Sequence, residues 1–457
     1  MNRVSRRANA LLLLVLLLAG GLGWFLYEYV TLAETWIVSP GSPHVFNSIN
    51  IGTGKVVDRD GELLLDLTGS RTYSESLSVR KSTLHWLGDR QGRISATAIA
   101  HYGREMTGYD IVEGLYTYSG EKGVAQLTLS AKVQAAALKA MGDRKGTIAV
   151  YNYKTGQLLC AVTTPTYDPD DVPDVENDES GAYEGVYLNR FLQSVYIPGS
   201  IFKVVTAAAA LDCLPDIEEQ TFVCRGVHPY GIDKVSCEKA HGEQTLKTAL
   251  ANSCNCAFGQ IANLVGTQKL QEYADRFGIT EPVRFDGVRT AAGHFDLTDA
   301  AAVEIAWGGI GQYTDQINPC RFLTFMGAIA GGGEAAQPHL VDSVTLGDET
   351  TYQAEPVSTG RIMDRDIAET LHKYMRNNVT AVYGKNNFPG LTVCAKSGTS
   401  QLGGEQKSNA MFAGFVADEE YPLAFIAVVE NGGYGASTCV PILSKVLSVC
   451  KEVLDNQ

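Results

Sequence analysis

The sequence predicts an α/β (α+β) protein in three parts: a membrane anchor over 1–30, a small mostly β pedestal domain over 31–125, and a larger domain over 126–457. Three observations carry this. An uncharged apolar run follows a basic tip. A strand–turn–strand pattern opens the next stretch. The remainder has strand patterns at both ends, helical patterns between them, and a closing helix, which points to one sheet built from both ends of the domain.

The anchor comes first. Met1 to Ala8 carries Arg3, Arg6 and Arg7, and Ala10 to Tyr27 then runs 18 residues without a charge. At ~1.5 Å per residue that run crosses a bilayer core. Lysine and arginine are absent between Arg7 and Lys55, whereas Glu28 and Glu34 follow the run. The basic side stays cytoplasmic, so everything after Val30 is expected outside. Trp24, Tyr27 and Tyr29 stand where interfacial aromatics anchor a span. A cleaved signal peptide is the competing reading; it would have a shorter apolar region ending in a small-x-small site, not Trp24-Phe25-Leu26-Tyr27-Glu28.

In the pedestal, residues 31–50 read as irregular and include Ser39-Pro40-Gly41-Ser42-Pro43. Lys55 to Leu67 reads as a hairpin turning at Asp60-Gly61. The larger domain opens with a helical pattern over Ser130–Met141. Alternating segments Gly146–Tyr153 and Gln157–Thr163 flank the turn Lys154-Thr155-Gly156. Helical patterns then cover Ser200–Leu211, Thr245–Val265, Asp299–Ala306 and Cys320–Ala330. Late strands fit Gly390–Lys396, Asn409–Ala417 and Leu423–Glu430, before a helix at Thr438–Leu454.

The net charge of −14, with no basic run past the first residues, argues against nucleic acid as a partner. Ten cysteines in a chain read as exported permit disulfides. Cys224 and Cys237 bracket a short Gly/Pro-containing loop and are either a disulfide or two buried thiols. No Cys-x-x-Cys pair or clustered histidine set is present, so no metal and no cofactor is expected.

A serine that attacks an acyl carbon needs a base, donors for the oxyanion and a hold on the substrate. Ser200-Ile201-Phe202-Lys203 supplies the first: the i, i+3 spacing puts the amine one turn behind the hydroxyl. In a dry site that lysine turns neutral and accepts the proton. Spacing alone does not choose Ser200, since Ser-x-x-Lys also occurs at Ser78, Ser119, Ser236 and Ser448. Only Ser200 follows Pro-Gly and leads into an apolar helix. Ser253-Cys254-Asn255, after the helical stretch Leu246–Ala251, offers a hydroxyl relay and an amide on alternate residues. A helix cap or turn explains the same string, and Ser48-Ile49-Asn50 repeats it. Lys396-Ser397-Gly398-Thr399 ends an apolar strand with an ammonium, two hydroxyls and a glycine for close approach to a carboxylate. The literal Lys-Thr-Gly at 154–156 reads as a hairpin turn.

These strings, in this order and at intervals of 53 and 143 residues, resemble the three motifs of penicillin-binding proteins and serine β-lactamases. Flanking strings resemble class B penicillin-binding proteins, among them Thr164-Pro165-Thr166-Tyr167-Asp168-Pro169, Leu188-Asn189-Arg190 and Gly309-Ile310-Gly311-Gln312. The resemblance implies a transpeptidase domain with a central, mainly antiparallel sheet and helices on both faces. It implies a serine DD-transpeptidase that cross-links peptidoglycan stem peptides ending in D-Ala-D-Ala and is acylated by β-lactams. Ser200 would be the nucleophile, Lys203 the base, Ser253 the relay and Asn255 a substrate-amide contact. Lys396 would set the positive field, with Ser397, Gly398 and Thr399 binding the terminal carboxylate. The Ser200 and Thr399 N–H groups would form the oxyanion hole. A polytopic membrane glycosyltransferase is the implied partner, since no such domain is legible here. A β-lactamase or β-lactam sensor of the same fold, or an inactive scaffold, are the competing functions. Two departures stand out: Lys-Ser-Gly replaces Lys-Thr-Gly, and Met411 stands where the family often has Trp.

Overall fold

The computed structural model describes residues 2–37, 54–68, 70–94, 98–107, 123–401 and 407–456. The expectations at Ser39–Pro43, Ser48/Asn50 and Ser119/Lys122 lie outside those residues. A helix at Asn2–Ile37 holds the apolar run. Its segment Val4–Leu32 is long and apolar enough to cross a membrane, and no residue of its apolar window is buried in the rest of the chain.

The expected hairpin forms, with Gly54–Val57 antiparallel to Leu63–Asp66 and Asp58 closing the turn. Asp58 Oδ1 accepts the N–H groups of Asp60 and Glu62, and its Oδ2 accepts that of Ala131. The pedestal sheet is not confined to 31–125. Its six strands run Glu349–Gln353, Val341–Leu346, Gly123–Leu127, Gly54–Val57, Leu63–Asp66, Thr72–Tyr73. The boundary drawn at 125/126 thus falls inside one strand, and two strands come from far down the chain. Helix also takes more of the described pedestal than expected, chiefly Leu77–Leu87. Buried Gln134 ties that helix to the larger domain: its amide donates to the Ser82 carbonyl at 3.0 Å and accepts the Ala161 N–H at 2.9 Å. A buried amide so satisfied adds specificity without an unpaired polar cost.

The second sheet fixes the site. Its five strands run Val393–Ser400, Asn409–Val416, Leu423–Val429, Gly146–Asn152, Leu158–Thr164, with antiparallel neighbours throughout. The strand patterns at the two ends of the domain do meet in one sheet. Its inner strands are buried on both faces, which is why Leu423–Val429 reads as a continuous apolar run. The helices Ala131–Met141 and Gly435–Asp455 pack on one face and Pro319–Ala330 on the other. Two of these helices start at a side-chain cap: Ser130 caps the first, and Asn318 caps the third just before Pro319 at its first turn.

Candidate active site

Val393–Ser400 is the edge strand of the five-stranded sheet, and its free edge is where the catalytic side chains converge. Ser200 does not open an α-helix as expected. It occupies a single 3₁₀ turn, Gly199–Ile201, and the α-helix begins at Lys203. The cause is Gly199, which sits at φ 54. A Cβ there would stand 2.6 Å from the Thr399 carbonyl oxygen, so only glycine lets this turn lie against the edge strand. The turn is anchored upstream: Tyr196 exchanges backbone hydrogen bonds with Ile317, and its hydroxyl donates to Glu430, which also pairs with Arg190 at 2.8 Å.

The helical pattern over Thr245–Val265 is two helices, Leu246–Ala251 and Asn255–Val265. Ser253 breaks it at φ 51, a left-handed conformation rare for a side-chain-bearing residue. The break turns Ser253 and Asn255 onto Lys203.

Lys203 Nζ lies 3.0 Å from Ser200 Oγ, 2.7 Å from Asn255 Oδ1, 2.8 Å from the Ser253 carbonyl and 3.2 Å from Ser253 Oγ. Lys396 Nζ lies 3.1 Å from Ser253 Oγ and donates to the Ser397 carbonyl at 2.8 Å. Both ammonium groups are fully buried. Burial, and then the neighbouring Lys396 charge, bring the Lys203 pKa down to about 7. Burial brings Lys396 down to about 7 as well. The hydrogen-bond inventory fixes what a neutral Lys203 does. Asn255 Oδ1 and the Ser253 carbonyl can only accept, so they take its two hydrogens, and the lone pair remains for the Ser200 proton. Ser253 Oγ bridges the two amines.

On the edge strand, the Thr399 carbonyl accepts from Gln312 Nε2 at 3.0 Å. N–H and C=O of one strand residue point to the same side, so the Thr399 N–H also faces outward, beside the Ser200 turn. Thr399 Oγ1 accepts the Gly435 N–H at 3.1 Å, which leaves its own proton to donate. At Gly398 a Cβ would stand 2.7 Å from the Pro198 carbonyl. The cleft in front of these groups has a volume of about 580 Å³ and is lined by Ser200, Ser253, Asn255, Ser397 and Thr399, with Trp307 and Tyr434 among its apolar walls.

The structure brings Ser200, Lys203, Ser253, Asn255, Lys396, Ser397, Gly398 and Thr399 into one site. Of the competing strings, Ser78, Ser236 and Ser448 are exposed. Met411 is buried in the inner strand opposite Gly398 and meets no catalytic side chain there by hydrogen bond.

Sequence reasoning missed Tyr383. Its hydroxyl accepts the Ser397 N–H at 3.0 Å, stands 2.9 Å from Ser397 Oγ and 3.5 Å from Lys396 Nζ. Burial pushes the phenol up, so it keeps its proton. With nitrogen donors on its oxygen, that proton goes to Ser397 Oγ, which frees the Ser397 proton for the cleft. No signal marks Tyr383, which sits in an irregular π-type turn, Val379–Tyr383. Gln312 was visible only as part of a family string.

Of the two readings left open for Cys224 and Cys237, the structure has the thiols; all ten cysteines are free. Cys224, Cys237, His241 and Cys254, which the sequence reading did not group, bring their ligand atoms within 4.8 Å of one another, a set able to hold a metal ion. Their spacing hid them, since no two are near neighbours of the Cys-x-x-Cys kind.

Residues 146–448 match the family described as the penicillin binding protein transpeptidase domain. Peptidoglycan D,D-transpeptidase PbpA of Mycolicibacterium smegmatis is 28% identical over 337 residues, 68% of either chain. The crystal structure of the D,D-transpeptidase domain of a peptidoglycan glycosyltransferase from Eggerthella lenta superposes with a TM-score of 0.77 at 26% identity, over 88% of this chain and 99% of that one. A ceftriaxone acyl-enzyme complex of penicillin-binding protein A from M. tuberculosis superposes with a TM-score of 0.72 at 21% identity, over 87% and 98%, a likeness of fold.

Proposed function

The chain belongs to the penicillin-binding protein transpeptidase family, and from that premise we propose that Ser200 is the nucleophile of its acyl transfer. It is a serine D,D-transpeptidase of peptidoglycan synthesis, and β-lactams acylate it as ceftriaxone acylates the mycobacterial relative. The observation that carries the residue roles is the Lys203 amine, buried, drawn toward neutrality and 3.0 Å from Ser200 Oγ.

The roles follow from who can hold a proton. Lys203 takes the Ser200 proton as Oγ attacks the carbonyl carbon of the penultimate D-Ala. The oxyanion that forms is met by the Ser200 and Thr399 N–H groups. Ser253, between the two amines, passes a proton toward the leaving nitrogen, the C–N bond breaks, and D-Ala departs as a neutral amine. The acyl ester on Ser200 is then attacked by an amine of a neighbouring stem. That amine gives up its proton and restores Ser200 Oγ–H. Asn255 holds Lys203 and offers its amide edge to the donor peptide. Ser397 and Thr399 donate hydroxyl protons to the terminal carboxylate, with Gly398 allowing the approach and Lys396 supplying the field when charged.

The helix Asn2–Ile37 fits a single-pass anchor, and we place its basic N-terminus in the cytoplasm with the site outside, by the charge asymmetry of its flanks. The implied polytopic glycosyltransferase is the partner proposed for that position. The experiment is a turnover assay of the full chain with a synthetic pentapeptide ending in D-Ala-D-Ala and an added amine acceptor. Release of D-Ala with amide product supports the reading. Fast release of hydrolysed penicillin, with no amide product, would make the chain a β-lactamase instead.

A further inference from the structure

Four side chains beside the cleft take no part in that chemistry. Cys224 ends the strand Phe222–Cys224, Cys237 follows the strand Asp233–Ser236, His241 precedes the strand Gly242–Gln244, and Cys254 caps the helix Asn255–Val265. In sequence they read Cys-x12-Cys-x3-His-x12-Cys.

All four ligand atoms lie within 4.8 Å of one another, and two of their spacings match the edges of a coordination tetrahedron. Sulfurs about 2.3 Å from a zinc ion at tetrahedral angles stand ~3.8 Å apart, and a sulfur and an imidazole nitrogen ~3.6 Å apart. Cys237 Sγ and Cys254 Sγ are 3.8 Å apart, and Cys224 Sγ and His241 Nδ1 are 3.5 Å apart. Disulfide sulfurs would lie at about 2.0 Å. The surroundings suit thiolates too. The Cys256 N–H points at Cys237 Sγ at 3.3 Å and the Ala257 N–H at Cys254 Sγ at 3.4 Å, donors of the kind that orient and tune metal ligands. Cys256 Sγ also lies 3.5 Å from Cys237 Sγ, but it donates to the Val235 carbonyl and is not among the four residues whose ligand atoms all come within 4.8 Å of one another.

The geometry points to a zinc ion held by Cys224, Cys237, His241 and Cys254 as a closed, structural site that positions Ser253 and Asn255. Three sulfurs and one nitrogen fill a tetrahedron and leave no coordination position for a water or substrate, so the ion takes no catalytic step. Its leverage is positional. Cys254 lies between the two residues that contact Lys203, and Ser253 is held at a φ that its own side chain disfavours. The strands it ties, Phe222–Cys224 with Gly242–Gln244 and Val227–Tyr230 with Asp233–Ser236, form two-stranded pieces of the kind that need support.

The test uses the full chain in mild detergent and reads the metal directly, so it stands apart from the transpeptidase reading. Elemental analysis after dialysis is expected to find about one zinc per chain, and Co²⁺ replacement to give thiolate-to-cobalt charge-transfer and tetrahedral ligand-field bands. Chelation should slow acylation of Ser200 by fluorescent penicillin by about tenfold or more, with Zn²⁺ restoring it. In C224S the zinc content and the cobalt bands should be lost. Should that variant fail to fold, the wild-type metal content and cobalt spectrum decide alone. Wild-type chain without zinc and without cobalt bands, or an intact mass lighter by two hydrogens for a Cys224–Cys237 or Cys237–Cys254 disulfide, overturns the proposal.

Discussion

Two Lys-hydroxyl-Gly tripeptides stand at opposite ends of the larger domain, and only one is chemistry. Lys154-Thr155-Gly156 matches the family string letter for letter; Lys396-Ser397-Gly398 does not. The first turns the hairpin between Gly146–Asn152 and Leu158–Thr164, with Lys154 exposed and the Asn152 side chain accepting the Lys154 and Thr155 N–H groups. The second lies along an edge strand, with Lys396 fully buried and touching Ser253 and Ser397. Gly156 and Gly398 each admit a neighbouring backbone carbonyl, from Gln337 and Pro198 respectively. What separates them is burial of the amine and the presence of Ser200 across the gap.

That contrast can be broken in four ways. Lys203→Ala removes the general base and should slow penicillin acylation by about 10²–10⁴-fold in stopped-flow measurements. Loss below tenfold would mean another group takes the Ser200 proton. Lys396→Ala is expected to cost roughly 10²-fold in kcat/KM on the same substrate, whereas Lys154→Ala should leave the rate within about twofold, as an exposed turn side chain. Equal losses at 154 and 396 would erase the distinction.

The pH profile is the next sharpest. Lys203 and Lys396 share Ser253, so they titrate as a pair: acylation should rise with pH as Lys203 loses its proton near 7 and fall again as Lys396 loses its charge. Stability has a rising limb only. Unfolded, each lysine keeps its proton to an ordinary 10.5; folded, only to about 7. Between those values the unfolded chain binds more protons, so denaturant midpoints should climb as pH rises across that window. A midpoint that falls there would contradict the buried neutral pair. Last and smallest, Tyr383→Phe removes one buried hydroxyl and should lower acylation by up to about tenfold, about one hydrogen bond's worth, with the effect concentrated in KM for substrates bearing a free carboxylate.

Much of this was legible in the sequence, for stated reasons. Strands buried on both faces announce themselves as apolar runs, so Asn409–Val416 and Leu423–Val429 were found within a residue or so of their ends. Ser200 was found by its Pro-Gly context and order. The unread parts depend on long-range contact. Nothing near Val341–Leu346 says that it pairs with Gly123–Leu127, more than two hundred residues earlier. Tyr383 reaches Ser397 only because an irregular turn packs under the edge strand, and irregular turns have no period to read. Cys224, Cys237, His241 and Cys254 converge because three short strands and a helix cap meet, a coincidence in space that sequence spacing does not encode. The break at Ser253 was half legible: one helical pattern ran over Thr245–Val265, while Ser253-Cys254-Asn255 also read as a helix cap or turn, which is what ends Leu246–Ala251 and starts Asn255–Val265.

The central claim is that Ser200, and no other Ser-x-x-Lys serine, carries the acyl group. Labelling the full chain with a fluorescent penicillin, beside Ser200→Ala, tests it most directly. The account predicts a covalent fluorescent band for the wild type, its label mapping to the peptide that contains Ser200, and no band for the variant. A variant that still labels, or a folded wild type that stays dark, would contradict it.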